Sequence, residues 1–567
     1  MKSQYIYTIA GGLVVSFVLW LTMRAVEVRW AESDIVLGWG CVSLLFLAIL
    51  LHAWKGGWAK HTWADIFIIM WIVYYALRVW MGGEYACGTA FLKSMECAVL
   101  YVALRGIFSN ISVSPYYIIC GLLLCGMYEA IYGLWQLTHG MSRHYLYLLT
   151  GNFQNPGPYS AYLMMGAAIG LSWMQQMTNR KLKNIVMVAT GIMLTLLPAT
   201  WSRAALVSLG IIALWLYRKQ YWRLRWVIWA SVIVLGTGFY LVKQGSANGR
   251  ALTWAASLTT WLHHSWLGVG VGGFHHACAE GIAELHATSP TSPLFESGGV
   301  TDYAFNDLLK ILVEQGLIGM MLCISTVGII MFRLHQRCKP LFYGMFSLLL
   351  FSMFSYPFEL LPYKIIVILI AAWAVSPVLP NIERKISFGW ATMLLIMLFP
   401  TFWLTKEVKQ RYQADKEVSI FSGMHHEAFI NDYYEILSFE MDNSQFLFDF
   451  GKTLRDAQRY NDSNATLWMG TRTSSDPMFL ILMGNNYKDM GWCDKAEEAY
   501  KKAFGIMPNR MYPLYQLMLL YEHIGDEAKM RIMAQRVIDF KEKINSPATH
   551  EMRQCAKEKL TTERKHL

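Results

Sequence analysis

Charge is what this chain has least of. Asp, Glu, Lys and Arg make up 16% of its 567 residues, where soluble domains carry about 25%. With 55% hydrophobic residues and a mean hydropathy of +0.31, that shortage excludes an ordinary soluble protein. Patterned cysteine is missing too. The ten cysteines are scattered, with no CxxC and no metal-ligand spacing, so they read as small buried hydrophobes. Of those expected outside the membrane, Cys87, Cys278, Cys493 and Cys555, nothing marks any two as a pair. The first apolar run has no small-residue cleavage site and is followed by others, so it reads as a first spanning helix rather than a removed signal peptide.

What the chain has in abundance is apolar runs of membrane-crossing length. They lie near 5–23, 35–54, 64–80, 90–107, 116–137, 157–177, 184–200, 203–217, 226–242, 307–332, 341–359, 364–379 and 387–404. The spacing predicts an all-α polytopic bundle of about 12–13 transmembrane helices over 1–404, then a soluble α-helical domain over 405–567. Arg180/Lys181/Lys183, Arg218/Lys219/Arg223/Arg225, Arg333/Arg337/Lys339 and Arg384/Lys385 gather in short alternate connections. Placed in the cytoplasm, they put the N-terminus inside, and the 243–305 loop and the C-terminal domain outside. The net charge of +10 is largely this bias, and it gives no reason to expect nucleic acid.

In the tail, Gly484 and Tyr487, Ala496 and Tyr500, and Pro508 match a tetratricopeptide repeat. Tyr521 and Gly525 recur 34 positions after Tyr487 and Gly491. The repeat is clearest over 477–543, with a degenerate unit around Phe450–Met469. Such stacks usually bind proteins or peptides, and a purely structural cap is the other reading.

Four outer segments carry polar chemistry. In GNFQNPGPYSAYL (151–163), Asn152, Gln154 and Asn155 precede a helix start, where amides either bind anionic or sugar oxygens or simply cap the helix. In PATWSRAALVSLG (198–210), Ser202 and Arg203 open a span. The helix dipole disfavours a cation there, so Arg203 points to an anionic partner such as phosphate, or else snorkels to headgroups. The 243–304 loop holds Arg250, His263/His264, a GVGVGG turn and His275/His276. Glycine there lets backbone approach a ligand closely, and the histidines read as surface or packing residues. Finally, Asn306, Asp307, Lys310 and Glu314 fall within roughly 100° of one another on a helical wheel. Lys310 and Glu314 are i,i+4 partners, so the face is either a solvated cluster or a paired one turned to a site.

TWSRAALVSLG, GRALTW, LGVGVGGF and FNDLLKILVEQGLIG occur in that order. Together they resemble the O-antigen ligase / O-antigen polymerase superfamily of membrane glycosyltransferases, in motif detail over 185–332. The resemblance implies a multi-pass enzyme of the bacterial inner membrane that moves a glycan from an undecaprenyl-diphosphate carrier to an acceptor hydroxyl on the periplasmic side. The acceptor would be lipid A-core for a ligase, the leading reading. It would be another carrier-linked glycan for a polymerase, or a protein for an O-oligosaccharyltransferase. It also implies that Arg203 and Arg250 hold the donor diphosphate; Ser202, Asn155, Asn306 and Lys310 are expected, from their positions at helix starts and on the polar face, to be further substrate-binding residues. Two such cations neutralise a leaving group without metal or nucleotide, so no cofactor is expected. Family ligases place His-Asn before this helix, whereas here Phe305 precedes Asn306. The acceptor base is therefore left among Asp307, Glu314 and His276. Membrane lipids and a protein bound to the repeat domain are the remaining expected partners. A lipid-linked glycan transporter and an envelope scaffold are readings of a different class.

Overall fold

The structure is a computed structural model that describes residues 2–24, 32–55, 62–81, 88–142, 146–153, 155–221, 223, 226, 244–300, 303–376, 388–421, 423, 427–541 and 546–562. A helix occupies each apolar range read from the sequence except 226–242. That range, most of which lies outside the described residues, is joined there by Gln154, Cys87, Arg225, Arg384 and Lys385. Among the described residues, five helices are long and apolar enough to cross a membrane: Asp34–Ala53, Trp63–Met81, Pro115–His139, Arg180–Thr200 and Asp307–Arg337. Shorter apolar helices run over Thr8–Met23, Arg203–Leu216 and Leu361–Val375.

Local chemistry starts these helices where it should. Ser114, Asn155, Asn179 and Asn306 each stand at an N-cap and accept a hydrogen bond from a backbone N–H of the first turn. Each thereby satisfies a donor that the helix leaves orphaned. Proline sits in the first turn of both Pro115–His139 and Pro156–Met174, where its missing N–H costs nothing.

Pro156–Met174 is the hub, buried along nearly its whole length and packed on Pro115–His139, Arg180–Leu196, Arg203–Leu216 and Lys339–Ser352. Close approach needs small residues there: a Cβ on Gly170 would meet Thr190 Oγ1 at 2.1 Å, and one on Gly344 would meet Ile169 Cγ1 at 2.6 Å. One buried charge pair is closely matched. Asp65 accepts from Arg105 Nε at 2.9 Å, Arg105 Nη2 at 3.1 Å and the Tyr101 hydroxyl at 2.8 Å. Leaving either partner of such a pair alone in the bundle would be strongly destabilising.

Beyond Phe388–Phe421 the chain continues as short helices from Ile430 to Thr562, each packed on the next. Tyr500 lies against Gly484, where a Cβ would come within 2.5 Å of its ring. Ala496, Tyr500 and Tyr521 are buried together in one apolar cluster. The central loop meets the C-terminal helices: Phe274–Thr288 packs on Cys493–Ile506 and on Tyr460–Thr473.

Candidate functional site

Two helices begin at one cavity of about 470 Å³, and a third runs past it. Asn155, Pro156 and Gly157 come from the start of Pro156–Met174, and Ser202, Arg203 and Ala204 from that of Arg203–Leu216. Gly245, Ser246, Gly249 and Arg250 come from Gln244–His263. The first two N-termini present the positive ends of their dipoles. Asn155 spends its side chain on the Gly157 N–H at 2.8 Å, so it caps its own helix. Ser202 makes no such capping bond. Among the described residues of the lining, Arg203 and Arg250 are the charged ones. They are electrostatically coupled: burial first, then Arg203, pulls the Arg250 guanidinium below its ordinary value, opposed by Tyr356. Two cations and two dipole ends make a site for a multiply charged anion.

The far wall is aromatic. Arg250 lies over the Phe305 ring at 4.9 Å, Phe305 meets Tyr356 edge-on at 5.6 Å, and Tyr356 stacks on Tyr303 at 3.7 Å. Two of the three non-glycine residues at positive φ among the described residues, Trp201 (53°) and Phe305 (51°), line this cavity. Left-handed backbone at a bulky aromatic costs of order 1–3 kcal/mol and clusters at functional sites. A Trp254 Nε1 donor holds the Ala304 carbonyl at 3.0 Å and fixes the chain just before Phe305.

The charged face of Asp307–Arg337 does not line the cavity. Lys310 does pair with Glu314, at 3.9 Å, but its closer partner is Glu359 at 2.7 Å, on the turn after Lys339–Ser352. Asp307 is buried and accepts the Phe358 N–H at 3.2 Å. Asn306 caps its helix by accepting the Leu309 N–H at 3.1 Å. Glu314 accepts the Gly272 N–H at 3.2 Å, which ties it to the glycine turn. His276 is remote from the cavity lining: its Nδ1 lies 3.1 Å from the Thr471 carbonyl and its Nε2 3.2 Å from Glu280. His276, first among several causes, holds the Glu280 carboxyl down to about 2.

The glycine turn approaches backbone closely, but that backbone is protein. Helix Asp307–Arg337 breaks at Gly316, whose φ is 65°. There the Val269 and Gly270 N–H groups donate to Val313 and Glu314 at 2.9 and 3.0 Å, and the Leu317 N–H donates to Ser265 at 2.9 Å. A Cβ on Gly268 would sit 2.5 Å from the Val313 carbonyl oxygen, and one on Gly316 would sit 2.3 Å from that of Trp266. From the membrane side, the Arg78 guanidinium donates to the Gly268 carbonyl at 3.0 Å. The turn therefore splices the loop into the broken helix. Sequence reading did not single out Tyr147, Thr253, Phe354, Ser355 or Tyr356, which also line the cavity. The available signal was Ser355-Tyr356-Pro357, which interrupts the apolar run 341–359.

Fold and site thus define a helical multi-pass membrane protein with a cationic cavity where two helices begin. Residues 188–324 match the model of a family described as O-antigen ligase. That segment carries Arg203, Arg250, Phe305 and the glycine turn, but neither the 147–157 side of the cavity nor the C-terminal helices. No curated protein matches the chain.

Proposed function

We propose that the protein transfers a glycan from an undecaprenyl-diphosphate carrier to an acceptor hydroxyl, with Arg203 and Arg250 holding the diphosphate. The observation that carries this reading is the meeting of two arginines and two helix N-termini in one cavity. The acceptor oxygen attacks the anomeric carbon, the bond from that carbon to the phosphate oxygen breaks, and its electron pair leaves with the diphosphate. The hydroxyl proton is taken up by the released diphosphate or passes to water. Charge builds on the leaving group as that bond breaks, so donors fixed beforehand lower the barrier. Ser202 and Asn155 stand at the rim of the same cavity. Asn306, Asp307, Lys310 and Glu314 act here as the frame that holds Phe305 and the loop, and His276 belongs to the contact with the C-terminal helices.

In this reading the cavity opens on the periplasmic side of the inner membrane, the N-terminus is cytoplasmic, and the C-terminal helices are a repeat domain in the periplasm. Ligation to lipid A-core is preferred, with polymerisation and protein glycosylation as the alternative acceptor choices.

Binding of undecaprenyl diphosphate to the purified protein in lipid nanodiscs tests the donor site. Replacing Arg203 or Arg250 by Ala removes charge-assisted bonds of about 1.5–3 kcal/mol. A weakening of roughly tenfold to a hundredfold is expected for each. Binding equal to wild type in both variants would contradict the assignment.

A further inference from the structure

We infer that the C-terminal helices brace the cavity, with Asn509 as a positioning residue that acts on Arg250 through residues 293–300. The inference rests on the diphosphate reading above.

Asn509 stands between Cys493–Ile506 and Tyr512–Ile524, and its Nδ2 donates to the Gly298 carbonyl at 2.8 Å and to the Glu296 carbonyl at 3.3 Å. An amide nitrogen has two N–H donors, so one side chain serves both. The segment it holds is part of the cavity wall: Ser297, Gly299 and Val300 line the space beside Gly245, Gly249 and Arg250. Contact with the arginine's own helix is direct. A Cβ on Gly249 would lie 3.3 Å from the Ser297 carbonyl oxygen, and one on Gly298 would lie 3.3 Å from Leu252 Cδ2. Asn509 therefore presses 296–298 against the turn that carries Arg250.

Other contacts make the brace a surface rather than a single bond. His286 meets Phe295 of the wall edge-on at 5.3 Å and Phe504 of the C-terminal helices edge-on at 5.4 Å. Lys502 lies 3.4 Å from Glu280, and Gly505 packs on Ala283 so closely that a Cβ would sit at 3.4 Å. None of these residues lines the cavity, and Asn509 lies outside the segment that matches the O-antigen ligase model. The C-terminal helices would thus be a working part of the site.

The test uses the full chain in nanodiscs and inorganic pyrophosphate as the probe, titrated calorimetrically, with amide exchange followed over 293–300. Asn509→Ala is expected to weaken pyrophosphate binding about five- to tenfold, as loss of one or two neutral hydrogen bonds implies. Asn509→Asp turns acceptors onto carbonyls and weakens it further, whereas Asn509→Gln keeps the donors and restores binding to within about threefold of wild type. Exchange over 293–300 rises in the Ala and Asp variants, and the thermal midpoint of the C-terminal helices stays in place. Wild-type pyrophosphate affinity in both Asn509→Ala and Asn509→Asp, alongside lost affinity in Arg203→Ala, overturns the brace and leaves the diphosphate reading intact. The reverse pattern, with Arg203→Ala and Arg250→Ala unaffected and the Asn509 variants weakened, overturns the diphosphate reading and keeps the brace. A wild-type chain that binds no pyrophosphate overturns both.

Discussion

At the scale of single residues the most informative position is Phe305. The resemblance expects a histidine there, and the structure holds instead a phenyl ring under the Arg250 guanidinium, on backbone with φ of 51°. A cation over an aromatic face is worth about 0.5–2 kcal/mol, more when water is excluded. Phe305→Ala is therefore expected to weaken donor binding roughly two- to thirtyfold, while Phe305→Tyr keeps wild-type affinity. Equal affinity in the Ala variant would show that the ring does not position Arg250. Glu314 supplies the complementary prediction. Its carboxylate is occupied by the Gly272 N–H and by Lys310. Glu314→Gln retains an acceptor for that N–H, so transfer should stay within about tenfold of wild type. A general base would lose about a hundredfold to ten-thousandfold, and a loss of that size would restore Glu314 as a candidate base.

At the scale of elements, the broken helix and its glycine turn act as one unit. Gly316→Ala must place a methyl 2.3 Å from the Trp266 carbonyl at a φ of 65°. Both effects oppose it, and a loss of at least about 1–3 kcal/mol is expected, read as a lower unfolding temperature and faster exchange over 265–272. Lys310→Ala leaves Glu314 and Glu359 without their shared cation. Loss of one partner from a buried group of charges costs about 3–5 kcal/mol; Lys310 and Glu359 are partly exposed, so a smaller loss, read as a lower unfolding temperature, is expected of this variant. The contact between the loop and the C-terminal helices should also answer to acid. Burial, with help from Arg536, holds the His286 imidazole below its ordinary value of 6.5. The folded state then binds fewer protons than the unfolded one, so stability is present above about 6.5 and falls as pH drops from there toward the lowered folded value. Faster exchange over 274–288 below that pH is expected in wild type and not in His286→Phe.

At the scale of the whole molecule, local signals in the sequence carried far. Apolar runs located the helices because a membrane crossing needs a fixed length of apolar chain. Arg203 stood out because a cation at a helix start is anomalous. The i,i+4 spacing foretold the pairing of Lys310 with Glu314 for the same local reason. What stayed hidden came from distant partners. Glu359, which takes Lys310 at 2.7 Å, lies on a turn that reads as the end of a span over 341–359. No pattern in GVGVGG tells that the backbone it approaches is the break at Gly316. Tyr356 and Asn509 reach the cavity and its wall only through tertiary packing.

The central claim is that Arg203 and Arg250 serve one reaction at one diphosphate. It is tested most directly by reconstituting the full chain with an undecaprenyl-diphosphate-linked oligosaccharide and three acceptors: lipid A-core, a second carrier-linked glycan, and a Ser/Thr-containing protein. Transfer by the wild-type chain to one of them, lipid A-core on the leading reading, and none by Arg203→Ala or Arg250→Ala although both remain folded in the membrane, is the expected result. Full transfer by either variant would contradict the account.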